Sequence, residues 1–142
     1  MIVEFTKKEY KFAKNYDSDA AFDLCACIDE PIGIQPQEIK IIDTGIKIEL
    51  DNELMYALIL PRSGLACKYG ITVINSPGLI DYEYRGEIKV GLINHSNEPF
   101  IVNDGDRIAQ LLICQNNYVN TIFGKVNENT KRGNKGFGSS GL

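Results

Sequence analysis

Short apolar runs that alternate with polar residues recur along nearly the whole chain, and turn-forming residues break them about every ten positions. The runs are Ile2 to Phe5, Phe22 to Ile28, Ile39 to Ile42, Ile46-Lys-Ile-Glu-Leu50, Met55 to Leu60, Ile71 to Ile74, Ile88-Lys-Val-Gly-Leu92, Ile108 to Cys114 and Val119 to Phe123. A period of two puts alternate side chains on one face of a pleated strand, so each run reads as a strand. Pro31, Gly33, Pro36, Gly45, Asp51-Asn52, Pro61, Pro77-Gly78, Asn94 to Pro99 and Asn103-Asp-Gly-Asp106 separate them. Strands this short at this spacing specify an all-β sandwich or jelly roll. One stretch reads as helix, Ser63-Gly-Leu-Ala-Cys-Lys-Tyr-Gly70, with Ser63 as its cap and Gly70 as its stop.

Of the 142 residues 44% are apolar, enough for one core, and a chain of this size buries roughly 70% of its unfolded surface without staples. Runs such as Met55 to Leu60 are far shorter than the ~20 residues that cross a bilayer. The start, Met1-Ile-Val-Glu-Phe5, lacks a basic n-region before an apolar stretch. The expectation is a soluble protein with no membrane partner, located in the cytoplasm, or in the nucleus or host cytoplasm if its source is eukaryotic or viral. With 15 basic against 19 acidic side chains, the net charge of -4 argues against a generic grip on nucleic acid.

Cys25, Cys27, Cys67 and Cys114 contain no CxxC pair, and His95 is the one histidine, so zinc-ligand spacing is missing. Cys25 and Cys27 read as small buried hydrophobes, and all four cysteines as reduced thiols. His95, in the polar cluster Asn94 to Pro99, reads as a solvated loop residue. No Ser-His or Cys-His nucleophile can be assembled around it.

The end of the chain differs in composition, with four glycines in the last ten residues and Lys131-Arg132 ahead of them. Such a segment cannot pack alone; it reads as a flexible tail or as an arm that closes on a ligand, because glycine amides donate freely to phosphate oxygens. Gly136-Phe-Gly138-Ser-Ser-Gly141 matches GxGxxG in form, but the helix that a dinucleotide fingerprint needs does not follow.

Four further stretches interrupt the strands with residues that strands disfavour: Asp19-Ala-Ala-Phe-Asp-Leu24, Pro61-Arg-Ser-Gly-Leu-Ala66, Gly78-Leu-Ile-Asp-Tyr-Glu-Tyr-Arg-Gly86 and Gly105-Asp-Arg-Ile-Ala-Gln110. With the tail, they make the chain resemble the homotrimeric deoxyuridine triphosphate nucleotidohydrolases, the dUTPases. All five motifs of that family occur in its order, from about residue 19 to residue 141. The resemblance implies a distorted jelly roll of the β-clip, dUTPase-like kind, with one short helix. It implies a single domain over residues 1–130 and, over residues 131–142, an arm that closes on nucleotide at a site shared between protomers.

It also implies residue roles. Arg62, Ser63 and Gly64 would meet the triphosphate, where guanidinium, hydroxyl and free amides converge; read alone, they are a capped turn. Gly78, Leu79 and Ile80 would form the hairpin that reads the uracil edge and leaves no space for a 5-methyl group, with Asn75 beside the base. Asp81 would orient the 3'-hydroxyl and act as general base, although Asp beside Gly and Tyr is commonly a turn residue. Tyr84 would pack under the sugar and exclude a 2'-hydroxyl; in isolation it would pass for core. Lys89 completes the substrate-binding set on this side.

Gln110 would contact phosphate, while Asp106 and Arg107 beside it read as structural ion pairs. Arg132 would meet the terminal phosphate, Phe137 cover the uracil, and Gly138, Ser139 and Ser140 bind phosphates. Asp23 would partner Mg2+ through water, which suits a hard cation that keeps several waters. Ala21 stands where the family usually has glycine, Lys135 where glycine is frequent, and Ser140 in place of a common threonine. The implied activity is hydrolysis of dUTP to dUMP and pyrophosphate, which limits uracil incorporation into DNA and supplies dUMP for thymidylate synthesis. Two alternatives stand beside it. A dCTP deaminase or bifunctional deaminase of the same fold would need an acid where Gly91-Leu-Ile-Asn94 has none. A jelly-roll binding protein without chemistry is the other.

Overall fold

The computed structural model describes residues 1–10, 12 and 14–135. Among them the chain forms eleven strands and one helix: β1 (Ile2–Phe5), β2 (Phe22–Cys25), β3 (Ile32–Ile34), β4 (Ile39–Asp43), β5 (Ile46–Glu49), β6 (Met55–Pro61), α1 (Ser63–Tyr69), β7 (Ile71–Val73), β8 (Gly78–Ile80), β9 (Lys89–Asn94), β10 (Phe100–Val102) and β11 (Arg107–Gln115). All pairings are antiparallel. A four-stranded sheet runs β2-β11-β6-β8, a three-stranded one β4-β9-β7, and β1 pairs with β5 and β10 with β3.

The alternation read from the sequence places the core. In β5, Ile46 and Ile48 are buried while Glu49 is exposed. Leu24, Ile34, Ile42, Ile71, Ile88, Leu92, Ile108 and Leu111 join them from six further segments, each nearly inaccessible. Cutting one such side chain back to alanine costs about 2–5 kcal/mol. Asn94, fully buried at the end of β9, satisfies its amide by donating to the Ile34 carbonyl at 2.9 Å and the Glu98 carbonyl at 2.8 Å, and by accepting from the Ser96 amide at 2.8 Å. No described helix is long and apolar enough to cross a membrane.

Gly70 stops α1 as expected: it adopts the left-handed conformation at φ +68, and a methyl there would lie 2.9 Å from the Ser96 nitrogen. Ser63 does not cap it. Arg62 holds the extended cap position and Ser63 opens the helix, with no side-chain cap bond. The expected strand from Val119 to Phe123 is also absent. Its residues lie outside any strand, and Val119, Ile122 and Phe123 are 77%, 89% and 96% exposed. Strand-prone residues alone make no strand where no neighbouring described strand accepts the backbone hydrogen bonds. All four cysteines are free, with Cys25 and Cys27 buried.

Candidate active site

Register brings the first cluster together. Gln110 of β11 lies opposite Asp23 of β2 on one side and Leu60 of β6 on the other. Directly opposed residues share a sheet face, and Arg62, two beyond Leu60, emerges at the end of the same face. A β-bulge between Arg107 and Ala109 lets Arg107 turn toward Asp23. Asp23 is 5% exposed, and a carboxylate buried to that degree needs charged or hydrogen-bonding partners. Arg62 Nε stands 3.2 Å from Asp23 Oδ1 and Arg107 Nη1 3.2 Å from Oδ2, while Asn15 Nδ2 donates to Oδ2 at 3.0 Å. Arg107 also donates to Asn15 Oδ1 at 3.2 Å, and Arg62 Nη1 donates to the Arg107 carbonyl at 3.0 Å.

Two guanidiniums on one carboxylate leave a net positive charge beside Gln110 and the first turn of α1. A polyanion is the complementary ligand. Arg107 thus forms the expected ion pair, whereas Asp106 instead closes its own loop by accepting from the Asn103 amide at 2.8 Å. Burial, with Asp23 next, pushes the Cys25 thiol upward and keeps it protonated beside the cluster.

Asp23 Oδ1 carries no hydrogen bond in spite of its closeness to Arg62 Nε, because the geometry is off-axis. That orphaned lone pair fits a donor such as a cation-bound water. The described residues hold no cluster of three or more His, Cys, Asp or Glu able to cage a metal. The donor set therefore suits Mg2+ that keeps its waters and takes phosphate oxygens, rather than a protein-built metal cage.

The second cluster follows β8. Gly78 sits against the Asn75 side chain, where a methyl would come within 3.3 Å of Asn75 Nδ2 and of Ile59 Cβ. Leu79 is 59% exposed, Ile80 half-buried, and Asp81 exposed just beyond it. The Tyr84 amide donates to the Asp81 carbonyl at 3.1 Å and the Tyr84 hydroxyl to the Glu87 carbonyl at 2.9 Å, so the segment folds back as a turn. Lys89 donates to Asp43 Oδ1 across the β4–β9 pair at 2.7 Å, and that bond holds its ammonium above the usual lysine range. Arg132 lies in a local turn, its Nε donating to the Lys135 carbonyl at 3.1 Å. Phe137, Gly138, Ser139 and Ser140 lie outside the described residues, as does most of the arm expected over 131–142.

Within one chain the two clusters stay apart. Ile80 pairs with Ala57, so Asp81 continues away from Pro61 and Arg62, about 16–20 Å along β6 at ~3.3 Å per residue. Sequence reasoning missed Asn15, the amide that joins Asp23 to Arg107. Its contact with Arg107 spans 92 positions, and no local pattern reports it.

The dUTPase family model matches residues 9–141. The chain belongs to the dUTPase family. The deoxyuridine 5'-triphosphate nucleotidohydrolase of Rickettsia bellii (strain OSU 85-389) is 50% identical over 126 residues, covering 89% of this chain and 83% of that protein. The corresponding enzyme of Legionella pneumophila (strain Paris) is 49% identical over 127 residues, covering 88% and 82%. Among solved structures, a Staphylococcus bacteriophage 80alpha dUTPase variant with dUpNHpp superposes with a TM-score of 0.87 at 24% identity, covering 99% of this chain and 98% of that one. A dUTPase variant from phage phi11 of S. aureus, described with a structural Mg(II) ion, gives 0.73 at 21% identity, covering 92% and 97%. The small antiparallel sheets around one core are thus the jelly-roll-like dUTPase fold.

Proposed function

We propose that this dUTPase-family chain hydrolyses dUTP to dUMP and pyrophosphate as a dUTP diphosphatase. The observation that carries the reading is the buried Asp23 carboxylate clasping Arg62 and Arg107, with Gln110 on the same sheet face. It is a preformed, net-positive seat for phosphates on a chain about half identical to named dUTP nucleotidohydrolases. Because Asp23 already orders both guanidiniums, binding a polyphosphate orders little more. Ser63, Gly64 and Gln110 add donors at its edge. Arg132, with Phe137, Gly138, Ser139 and Ser140 beyond it, brings charge and cover from the arm. Bound Mg2+ would neutralise phosphate charge, with Asp23 its partner through water.

Asp81 is the general base: it takes a proton from the water that attacks the α-phosphorus in line, the bond to the bridging oxygen breaks, and pyrophosphate leaves. Asn75, Gly78, Leu79 and Ile80 read the uracil, Tyr84 excludes the 2'-hydroxyl, and Lys89, held by Asp43, completes the substrate-binding set. The distance between Asp81 and Arg62 along β6 supports a site completed by another copy. So does the apolar stretch Tyr118 to Val126, exposed with no core of its own. The assembly that fits both is a homotrimer, and light scattering checks it by reporting about three chains per particle. A cytoplasmic location fits this activity. A deaminase reading finds no acid at Asn94, whose amide is used up inside the fold.

The test is pyrophosphate release with dUTP, dTTP, dCTP and UTP side by side. Turnover of dUTP alone supports the proposal, and equal turnover of all four, or of none, contradicts it.

A further inference from the structure

The turn after Asp81 folds Tyr84 back onto its own backbone, and Gly86 is where the phenol lands. A methyl group on Gly86 would stand 2.5 Å from the Tyr84 hydroxyl oxygen, 2.6 Å from its Cζ and 3.1 Å from its Cε2. The first two are closer than atoms in a packed protein approach, so something would have to move. Gly86 is not among the glycines with left-handed backbone, so a side chain there is refused for want of space and not for conformation.

The other side of this seat is anchored. The Glu87 carboxylate accepts the Gly45 amide at 3.0 Å and the Thr6 hydroxyl at 3.3 Å. Next to it, fully buried Ile88 donates its amide to the Ile46 carbonyl at 2.8 Å. Tyr84 is 44% exposed and has room to swing outward. An added methyl would therefore displace the ring and not the backbone.

We propose that Gly86, together with the Glu87 carbonyl that takes the Tyr84 hydroxyl, is a specificity-determining seat that fixes the Tyr84 ring where it discriminates deoxyribose from ribose nucleotides. This rests on the reading of Tyr84 as the residue that excludes a 2'-hydroxyl. A ring excludes one hydroxyl only if its distance from the sugar is fixed more tightly than the size of that group, and the space at Gly86 with the 2.9 Å bond to Glu87 supplies that fixity.

The experiment measures kcat/KM for dUTP and for UTP in five proteins: wild type, Gly86→Ala, Tyr84→Phe, Tyr84→Ala and the Tyr84→Ala/Gly86→Ala double variant. Thermal unfolding is measured alongside. Tyr84→Ala lowers the dUTP preference about ten- to a hundredfold. Gly86→Ala lowers it about tenfold. Tyr84→Phe, which loses only the bond to Glu87, lowers it about threefold. On the Tyr84→Ala background Gly86→Ala changes nothing further, since the group it displaces is gone.

A preference that falls in Tyr84→Ala but holds in Gly86→Ala overturns the seat and leaves the Tyr84 reading standing. An additional loss in the double variant overturns it too, because the glycine would then act on the nucleotide itself. An unchanged preference in Tyr84→Ala defeats the Tyr84 reading, and the seat with it. Should Gly86→Ala unfold before assay temperature, Tyr84→Phe decides: a lowered preference supports the seat, an unchanged one overturns it.

Discussion

Asp23 lies within β2 and Asp81 just past β8, and the first carboxylate is 5% exposed and tied to two arginines while the second lies exposed with no ion pair among the described residues. The first holds other groups in place; the second is left available to react. On the proposed reading the chain builds the Asp23–Arg62–Arg107 part of its phosphate seat by itself, whereas the end that carries Asp81 is open and lies along β6 away from those arginines. If the proposed assembly forms, a site made of these halves gains order from the fold at one end and from the partner chain at the other.

The largest effect expected from this contrast is in turnover. Asp81→Asn lowers kcat for dUTP by about 10²–10⁴ while nucleotide affinity and melting temperature hold, since the amide still bonds a sugar hydroxyl but takes no proton. Pyrophosphate release and nucleotide titration measure both. Near-normal turnover would move the base elsewhere.

Ending the chain at Thr130 comes next. Most activity is lost, yet the protein melts as before, because the hydrogen bonds of the described part of the arm are local, Arg132 with Lys135 and Gly133 with Thr130. Unchanged turnover would make the arm a passive tail, and a collapsed melting temperature would make it part of the core.

Asp23→Ala shows the opposite profile, with stability as the first casualty. It strands two guanidiniums that are themselves 25% and 47% exposed, so solvent relieves part of the cost and about 1–3 kcal/mol remains. Urea unfolding reads it, and an unchanged midpoint would remove Asp23 from its anchoring role.

The smallest effect lies at Asp104, which pins the chain's first residues. The Lys8 ammonium, bonded at 2.8 Å, leads in lowering its carboxyl to about 2. The buried Tyr10 hydroxyl faces it without hydrogen-bond geometry, and the Ile28 amide donates to it at 3.0 Å. A depressed carboxyl contributes stability above its unfolded value of 3.8, and that contribution disappears as pH falls toward 2. The melting temperature should therefore drop across that window in the wild type and drop less in Asp104→Asn.

The fold was legible where alternation and punctuation agree. Ile46 to Glu49 and Met55 to Pro61 are strands for the reasons their sequences give, and Gly70 stops its helix. Ile32-Gly-Ile34, Gly78-Leu-Ile80 and Phe100-Ile-Val102 escaped because three residues, two of these sets with a glycine, carry no period to detect. Val119 to Phe123 has strand-prone residues but no partner strand among the described residues. At the site, the motifs named Asp23, Arg62 and Gln110, but the pairing of Asp23 with both arginines comes from the register of β11 with β2 and with β6, far apart in sequence. Asn15 meets Arg107 across 92 positions, which no local pattern reports, and the space over Gly86 depends on how the turn after Asp81 folds Tyr84 back.

Complementation tests the split site most directly. Asp81→Asn and Arg62→Ala chains, each inactive alone, are unfolded together, refolded as a mixture and assayed for pyrophosphate release from dUTP. If Asp81 and Arg62 of one site come from different chains, an equal mixture recovers about a quarter of wild-type turnover, the share of sites in random assemblies that draw both residues from intact chains. A mixture as inactive as its components would place both residues of each site in a single chain and contradict the account.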